Sequence, residues 1–344
     1  MKHAIISMSL PEFQSVLTEE FGEQKFRAKQ IFDWIYKGAS FAEMSNLPKS
    51  LRQRLDENFT ASDLDIVQKL VENKTNTIKY LLKTKDDIII ECVVLSYEYG
   101  NTICISTQAG CSMHCAFCVS GKDGLIRNLT SSEMMSQLIC SVADTKQPIG
   151  HIVMMGSGEP LDNYDQVADF ITRVNAPTTF HIGIRNITLS TCGIIPGIEK
   201  LMQDKLFINL SVSMHAPFSD MRQAMMPVER TYPIREVIRI CEQYRKESGR
   251  RITYEYSVIP SVNDTDACAD ELQRLLKGSD AHINLIGLNE GSEVYAASEE
   301  SAVTAFGKKL TQRKLNATVR RKLGSSINAA CGQLKSRYID QSTK

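Results

Sequence analysis

The chain has 344 residues, with 40 basic and 40 acidic side chains, 42% hydrophobic residues, one tryptophan and ten cysteines. This length can bury a large core, as one big α/β domain or two smaller ones, and the aliphatic content excludes a disordered chain. No apolar run approaches the roughly 18 residues of a membrane span. The first residues, interrupted by Pro11, Glu12 and Gln14, hold no signal-peptide core. The expectation is a cytoplasmic protein with no membrane partner, whose cysteines are not a disulfide scaffold.

In residues 26–36, Phe26, Ile31, Trp34 and Ile35 lean to one face, which predicts a helix with Arg27 and Lys29 off that face. A second helix is predicted after Pro48, through Leu51 and Leu55. Residues 1–75 therefore read as a small helical accessory domain. From about Thr75 short β-branched runs follow at 77–82, 88–94 and 102–106, and 76–100 reads as a β extension. Strand-like runs at 149–155, 186–190, 207–214, 252–259 and 282–288 then alternate with longer helical stretches such as 131–142 and 234–246. That alternation predicts an α/β fold with a parallel sheet, and six such strands would close most of a barrel. In such barrels the working residues sit at strand C-termini.

Charge is segregated. Residues 308–344 hold ten Lys/Arg against Asp340, whereas 254–300 hold ten Asp/Glu against Arg274 and Lys277. The basic tail suits a polyanion or, equally, a solvated face.

The sharpest feature is Cys111-Ser-Met-His-Cys115-Ala-Phe-Cys118, three thiols within eight residues directly after a strand-like run. A [4Fe–4S] cluster is normally held by four cysteines, so three would leave one iron open to a cofactor or substrate. A zinc site completed by His114 is the competing reading, although no second cysteine pair follows. Chance clustering of buried thiols is the third.

The CxxxCxxC run with Phe117 before its last cysteine resembles the radical SAM superfamily. Further segments follow in order: Phe26-Arg-Ala-Lys-Gln-Ile-Phe, Ile105-Ser-Thr-Gln-Ala-Gly-Cys, Arg127-Asn-Leu-Thr, Gly158-Glu-Pro-Leu, Leu189-Ser-Thr, Ser213-Met-His-Ala-Pro, Glu255-Tyr with Val262-Asn-Asp, and Ala329-Ala-Cys-Gly-Gln-Leu. Together they resemble the RlmN/Cfr family of RNA methyltransferases over nearly the whole chain. The resemblance implies a partial (β/α)6 radical SAM barrel over 101–344, ending in a loop that bears a methyl-accepting cysteine.

It also implies the roles. Cys111, Cys115 and Cys118 would hold the cluster; Gly158, Glu159, Ser190, Ser213, Met214, His215 and Asn289 would hold S-adenosylmethionine, two molecules per turnover. Cys331 would be the S-methylcysteine intermediate, Cys104 its partner in a transient disulfide, and Glu91 the proton acceptor. Glu91 lies within an apolar strand run, where burial would raise its pKa toward a useful base. The implied reaction is methylation of C2 of adenosine in 23S rRNA, with tRNA a further substrate and flavodoxin or ferredoxin as reductant. The base must be turned out of its stack to be reached. The basic tail and Lys25, Arg27, Lys29 and Lys37 are the candidate phosphate contacts, with the acidic stretch facing away. Cys92, Cys140, Cys192, Cys241 and Cys268 read as structural thiols.

Three departures stand out: Ser157 in place of an apolar residue, no proline after Asn289, and no Asp-Gly turn in 81–87. The alternatives are a Cfr-type C8 methyltransferase, which has alanine at the position of Pro160, and a zinc-bound RNA-binding protein without catalysis.

Overall fold

The structure, a computed structural model, describes residues 2–289, 294–321, 323–327 and 329. Its N-terminal unit comprises β1 (His3–Ala4), α1 (Leu10–Glu19), α2 (Phe26–Ile35), α3 (Lys49–Asn58) and β2 (Phe59–Thr60), with β1 and β2 paired in parallel. Ser9 opens α1 through a capping box with Glu12, and Pro11 sits in the first turn, where its missing N–H is harmless. Helix α2 buries Ala28, Ile31, Phe32 and Ile35, whereas Phe26, expected on that face, is exposed. Phe13 meets Phe32 and Phe59 edge-on, each at 5.7 Å between centroids. Gly38, at φ 71°, comes so close to the backbone of Val142 and Ala143 that a Cβ there would lie 2.5 Å from Ala143 N. The helical unit is thereby docked on the rest of the chain.

An antiparallel meander follows: β3 (Asp65–Glu72), β4 (Thr77–Lys83), β5 (Ile89–Tyr97) and β6 (Gly100–Cys104). The sequence reading extended the helical unit to residue 75; Asp65–Glu72 is instead the edge strand of the main sheet. Its Ile66 and Val71 stay 40% and 45% exposed, so it carries no buried face to generate strand periodicity. The β4–β5 turn, which lacks the Asp-Gly pair, is closed by Thr84: its hydroxyl donates to Asp86 Oδ1 at 2.6 Å and accepts from the Ile88 N–H at 2.9 Å. Asp87 takes the positive φ, 61°.

Next come β7 (Gln108–Gly110) and β8 (Leu125–Asn128), an antiparallel pair at the base of the cysteine loop. The βα units are α4 (Ser131–Thr145), β9 (Ile149–Met154), α5 (Tyr164–Asn175), β10 (Ile187–Thr191), α6 (Ile195–Gln203), β11 (Asn209–Ser213), α7 (Ser219–Met225), α8 (Ile234–Ser248), β12 (Thr253–Val258), α9 (Asp266–Leu275), β13 (His282–Gly287), α10 (Glu300–Gln312) and β14 (Ala317–Val319). The ten strands of the main sheet run β14-β13-β12-β11-β10-β9-β6-β5-β4-β3. From β6 to β14 all neighbours are parallel, as the strand–helix alternation predicts.

Alternate residues face opposite sides. One side carries Ile103, Ile152, Ile187, Leu210, Val212, Tyr254 and Ile283, sealed by the crossover helices into the main core. The other, the lumen side, carries Thr102, Cys104, Thr188, Ser190, Ser211, Ser213, Glu255 and Asn284. A polar lumen behind an apolar jacket is what a buried reaction chamber requires.

Among the described residues the barrel is open, with β14 and β3 as its two edges. The chain beyond β14 crosses the gap. The Gly324 and Ser326 N–H groups donate to the Glu72 carboxylate at 2.9 and 3.1 Å, and the Ser326 hydroxyl at 2.6 Å. Leu323 and Ala329 pack against Val93, Leu95 and Cys104. Among the described residues no helix is long and apolar enough to cross a membrane.

Candidate active site

The cysteine loop is pinned from several sides. Cys111 N–H donates to Gly124 O at 3.0 Å and Ala116 N–H to Met225 O at 2.9 Å. Ser112 Oγ and Gln108 Nε2 both donate to Asp162 Oδ2, at 3.0 and 3.1 Å. Arg127 bridges Asp86 and Glu133, each with two hydrogen bonds, and Glu133 closes a capping box with Thr130 at the start of α4. This guanidinium holds the Asp86 carboxyl well below the usual carboxylate range. The 127–130 run therefore fixes the loop's exit.

Cys111, Cys115 and Cys118 line one cavity of about 170 Å³ at the C-terminal ends of the parallel strands. Gly158, Glu159, Ser190, Ser213, His215 and Asn289 line the same cavity. Met214 does not: on β11's alternation Ser213 faces the lumen, and the Met214 side chain is buried in the main core. Only its backbone serves the site, accepting from Arg222 Nε at 3.1 Å.

Burial pushes the Cys111 thiol up to about 12 and Cys115 higher still. Such thiols ionise when a cationic centre binds them. Among the described residues no three His, Cys, Asp or Glu side chains are arranged to hold a metal ion. Ligands of a four-iron cube bind different corners and stand further apart than those of one ion.

Two glycines in the segment after β9 leave no room for a side chain. At Gly156 a Cβ would lie 2.6 Å from Ile105 O, and at Gly158, where φ is 110°, 2.6 Å from Gln108 Cβ. Ser157, the departure from the family pattern, is used: its hydroxyl donates to Gly110 O at 3.2 Å and its N–H to Ser106 Oγ at 3.0 Å. An apolar side chain would lose the first of these ties, next to Cys111. The Glu159 carboxylate accepts from Leu161 N–H at 3.0 Å and Cys192 N–H at 2.7 Å. Burial raises its pKa against these hydrogen bonds and those from the Thr191 and Cys192 side chains.

His215, at φ 56°, accepts at Nδ1 from Ser257 N–H at 2.9 Å and meets the Phe117 ring edge-on at 4.7 Å. Burial, with a lesser push from Arg222, lowers its pKa to about 3, so the ring is neutral with its proton on Nε2. Sequence reasoning missed Arg222. Fully buried, it pairs with Glu229 at 2.5 Å and donates to Cys192 O at 2.7 Å and Ser213 O at 3.0 Å. It thus ties the ends of β10 and β11 beneath the cavity.

Glu255 was expected to face away with its acidic neighbours; it lines the lumen instead. Ser211 Oγ and Asn284 Nδ2 donate to its carboxylate at 2.7 and 2.9 Å, which lets it stay buried.

Glu91, 4% exposed, forms an ion pair with Lys79 at 3.0 Å, so it is neither a strand-edge carboxylate in water nor an isolated acid. Cys104 lies opposite Val93 on the next strand, on the same lumen face as Glu91. Neither lines the cysteine cavity. Cys331 lies outside the described residues. Cys92, Cys140, Cys192, Cys241 and Cys268 are buried, and Cys192 also lines the cavity. In the N-terminal unit Lys29 pairs with Asp33 at 2.9 Å and Arg27 with Glu23 at 3.9 Å.

Three thiols round one cavity, a glycine cradle beside them and a buried carboxylate on the cavity wall fit a [4Fe–4S] cluster and S-adenosylmethionine, the groups used throughout the radical SAM superfamily. Residues 105–271 match that superfamily, and residues 5–61 match the ribosomal RNA large subunit methyltransferase N-terminal domain. The probable dual-specificity RNA methyltransferase RlmN of Clostridium acetobutylicum is 47% identical over 323 residues, 93% of this chain and 94% of that protein. Its namesake from Clostridium tetani is 44% identical over 342 residues, 99% of this chain and 98% of that protein. The crystal structure of a radical SAM methyltransferase from Sphaerobacter thermophilus aligns with a TM-score of 0.90 at 38% identity, covering 97% of this chain and 99% of that one. On identity sustained over nearly its whole length, this chain belongs to the RlmN/Cfr family of radical SAM RNA methyltransferases.

Proposed function

We propose that this chain methylates C2 of adenosine in 23S rRNA and in tRNA, through an S-methylcysteine at Cys331. The observation that supports it most is the near full-length likeness to RlmN proteins together with three thiols on one cavity. Cys111, Cys115 and Cys118 would hold the cluster. Gly158, Glu159, Ser190, Ser213, His215 and Asn289 would seat S-adenosylmethionine, with Met214 contributing backbone alone. The bound cluster and cofactor supply one chemistry, reductive splitting of the sulfonium into a carbon radical.

The chain's own residues carry the rest. The Cys331 thiol loses its proton, and its sulfur attacks the methyl carbon of one S-adenosylmethionine, releasing S-adenosylhomocysteine. After the methyl carbon has joined the ring, Glu91 accepts the ring proton. Cys104 then loses its thiol proton and attacks the Cys331 sulfur, the S–C bond breaks toward carbon, that carbon takes up a proton to complete the methyl group, and a disulfide closes. Lys79, 3.0 Å from the Glu91 carboxylate, would hold it in place to receive that proton.

Residues 1–75 and 76–100 would serve as RNA-binding and base-carrying additions to the 101–344 core, in a cytoplasmic enzyme reduced by a flavodoxin or ferredoxin. Anaerobically purified protein should be brown, with four iron and four sulfide per chain. With reductant, S-adenosylmethionine and RNA it should yield 2-methyladenosine. 8-Methyladenosine would indicate the Cfr-type reaction. A colourless protein containing zinc would overturn the assignment.

A further inference from the structure

A second cavity, of about 760 Å³, occupies the opposite end of the lumen. Its rim lies at the N-terminal ends of the parallel strands: Arg185 precedes β10, and Arg250 and Arg251 precede β12. It adjoins the cysteine cavity, because Met155, Glu255 and Arg320 line both. The two chambers are thus adjoining parts of one lumen.

The rim has a definite chemistry. Tyr97 and Tyr99, at the β5–β6 turn, stack with centroids 4.9 Å apart and planes 10° from parallel. Tyr99 is 64% exposed, with the His151 ring set at 74° to it and centroids 4.9 Å apart. Among the described residues the guanidinium groups of Arg185 and Arg251 have no hydrogen-bond or ion-pair partner, and both side chains are exposed. Four arginines line the cavity against one carboxylate, Glu255, which Ser211 and Asn284 already hold. Cationic groups around an exposed aromatic ring suit a nucleotide strand, with phosphates on the arginines and a base on the ring. A protein partner would not need both, and a small anion would not need the aromatic face.

We propose that this mouth receives the single-stranded RNA segment carrying the target adenosine, so that RNA and S-adenosylmethionine approach from opposite ends of the lumen. The inference rests on the RNA methyltransferase reading and relocates the main RNA contact from Lys25, Arg27, Lys29 and Lys37 to the strand N-termini. Arg185 and Arg251 bind backbone phosphate; Tyr99 stacks a neighbouring base. The adenosine lies between, turned toward Met155 and Cys104.

The test uses full-length holoenzyme with two RNA hairpins, a tRNA anticodon stem-loop and a ribosomal RNA hairpin, each with an unpaired adenosine in its loop. Tyr99→Ala should weaken binding of at least one hairpin by about 5- to 150-fold, the range for losing one base–aromatic stack. Arg185→Gln and Arg251→Gln should each lower the slope of log affinity against log salt by about 0.7. None of the three should change release of 5′-deoxyadenosine from S-adenosylmethionine without RNA, which also shows that each variant is folded. Unchanged affinity for both hairpins in all three variants would overturn the inference, as would a loss seen only with Lys29→Gln. Were the unmodified protein to bind neither hairpin, the methyltransferase reading itself would fall.

Discussion

The Lys79 ammonium and the Glu91 carboxylate meet at 3.0 Å inside the sheet, each no more than 6% exposed. Two strands of one hairpin thus bury opposite charges against each other on the face that carries Cys104. Removing one partner leaves a lone buried charge, which destabilises by about 3–5 kcal/mol. Lys79→Met should therefore lower stability to urea by roughly that amount. The double variant Lys79→Met, Glu91→Gln should recover much of the loss, and a double variant no more stable than Lys79→Met would show that the two groups do not depend on each other.

Arg222 joins the ends of β10 and β11 through carbonyl groups and is neutralised by Glu229. Arg222→Met should cost about 3–5 kcal/mol by the same argument. It should also lower the iron content of the purified protein, because Ala116 in the cysteine loop hangs on Met225, three residues along the same helix. Iron analysis beside a thermal melt separates the two effects. Full iron loading in a destabilised variant would confine Arg222 to the fold.

Gly158→Ala places a methyl group 2.6 Å from Gln108 Cβ and 2.7 Å from Gln108 N, at a φ of 110° that alanine avoids. Strain of about 1–3 kcal/mol is expected. Since Gly158 borders the three thiols, S-adenosylmethionine binding measured by calorimetry should fall at least tenfold. Unaltered binding would mean that the cradle is not part of the cofactor site.

How much of this was legible beforehand depends on whether a feature is local. The strands at 187–191 and 253–258 alternate polar and apolar residues because one side faces the lumen and the other the helices, and that pattern is written in consecutive residues. Strand β3 left no such trace, since it borders the sheet with much of its apolar surface exposed. The cysteine spacing is local as well. Arg222 and Glu255 were not recognisable, because a buried charge is defined by partners many residues away. Lys79 did leave a signal: it interrupts an apolar strand run just as Glu91 does, and two such interruptions across one turn imply a pair.

The Glu72 carboxyl is held down to about 2, chiefly by the Ser326 hydroxyl and with help from Thr75 and the Gly324 and Ser326 amides. A carboxyl lowered on folding contributes fully above its ordinary value of 4.5 and ceases to contribute as pH falls through about 2. The hold on residues 324–326 should thus be constant from about pH 5 to about pH 8. Hydrogen exchange at the Ser326 amide, corrected for intrinsic rate, should be flat across that interval and much faster in Glu72→Ala. Equal protection in both proteins would show that the carboxylate does not anchor the segment.

Serine at any one of Cys111, Cys115 or Cys118 should abolish the brown colour and the acid-labile sulfide while leaving the far-ultraviolet circular dichroism spectrum unchanged. Their side chains line the cavity and are not part of the main core. Retained sulfide in any one of the three would remove that residue from the ligand set.

Because, among the described residues, the chambers at the two ends of the lumen share only Met155, Glu255 and Arg320, they are separate doors to one room. A compound lodged among the arginines can stop turnover while the cofactor's apparent affinity stays as it was, giving noncompetitive inhibition. A molecule long enough to reach past Glu255 would occupy both doors, and only such a molecule would compete with S-adenosylmethionine.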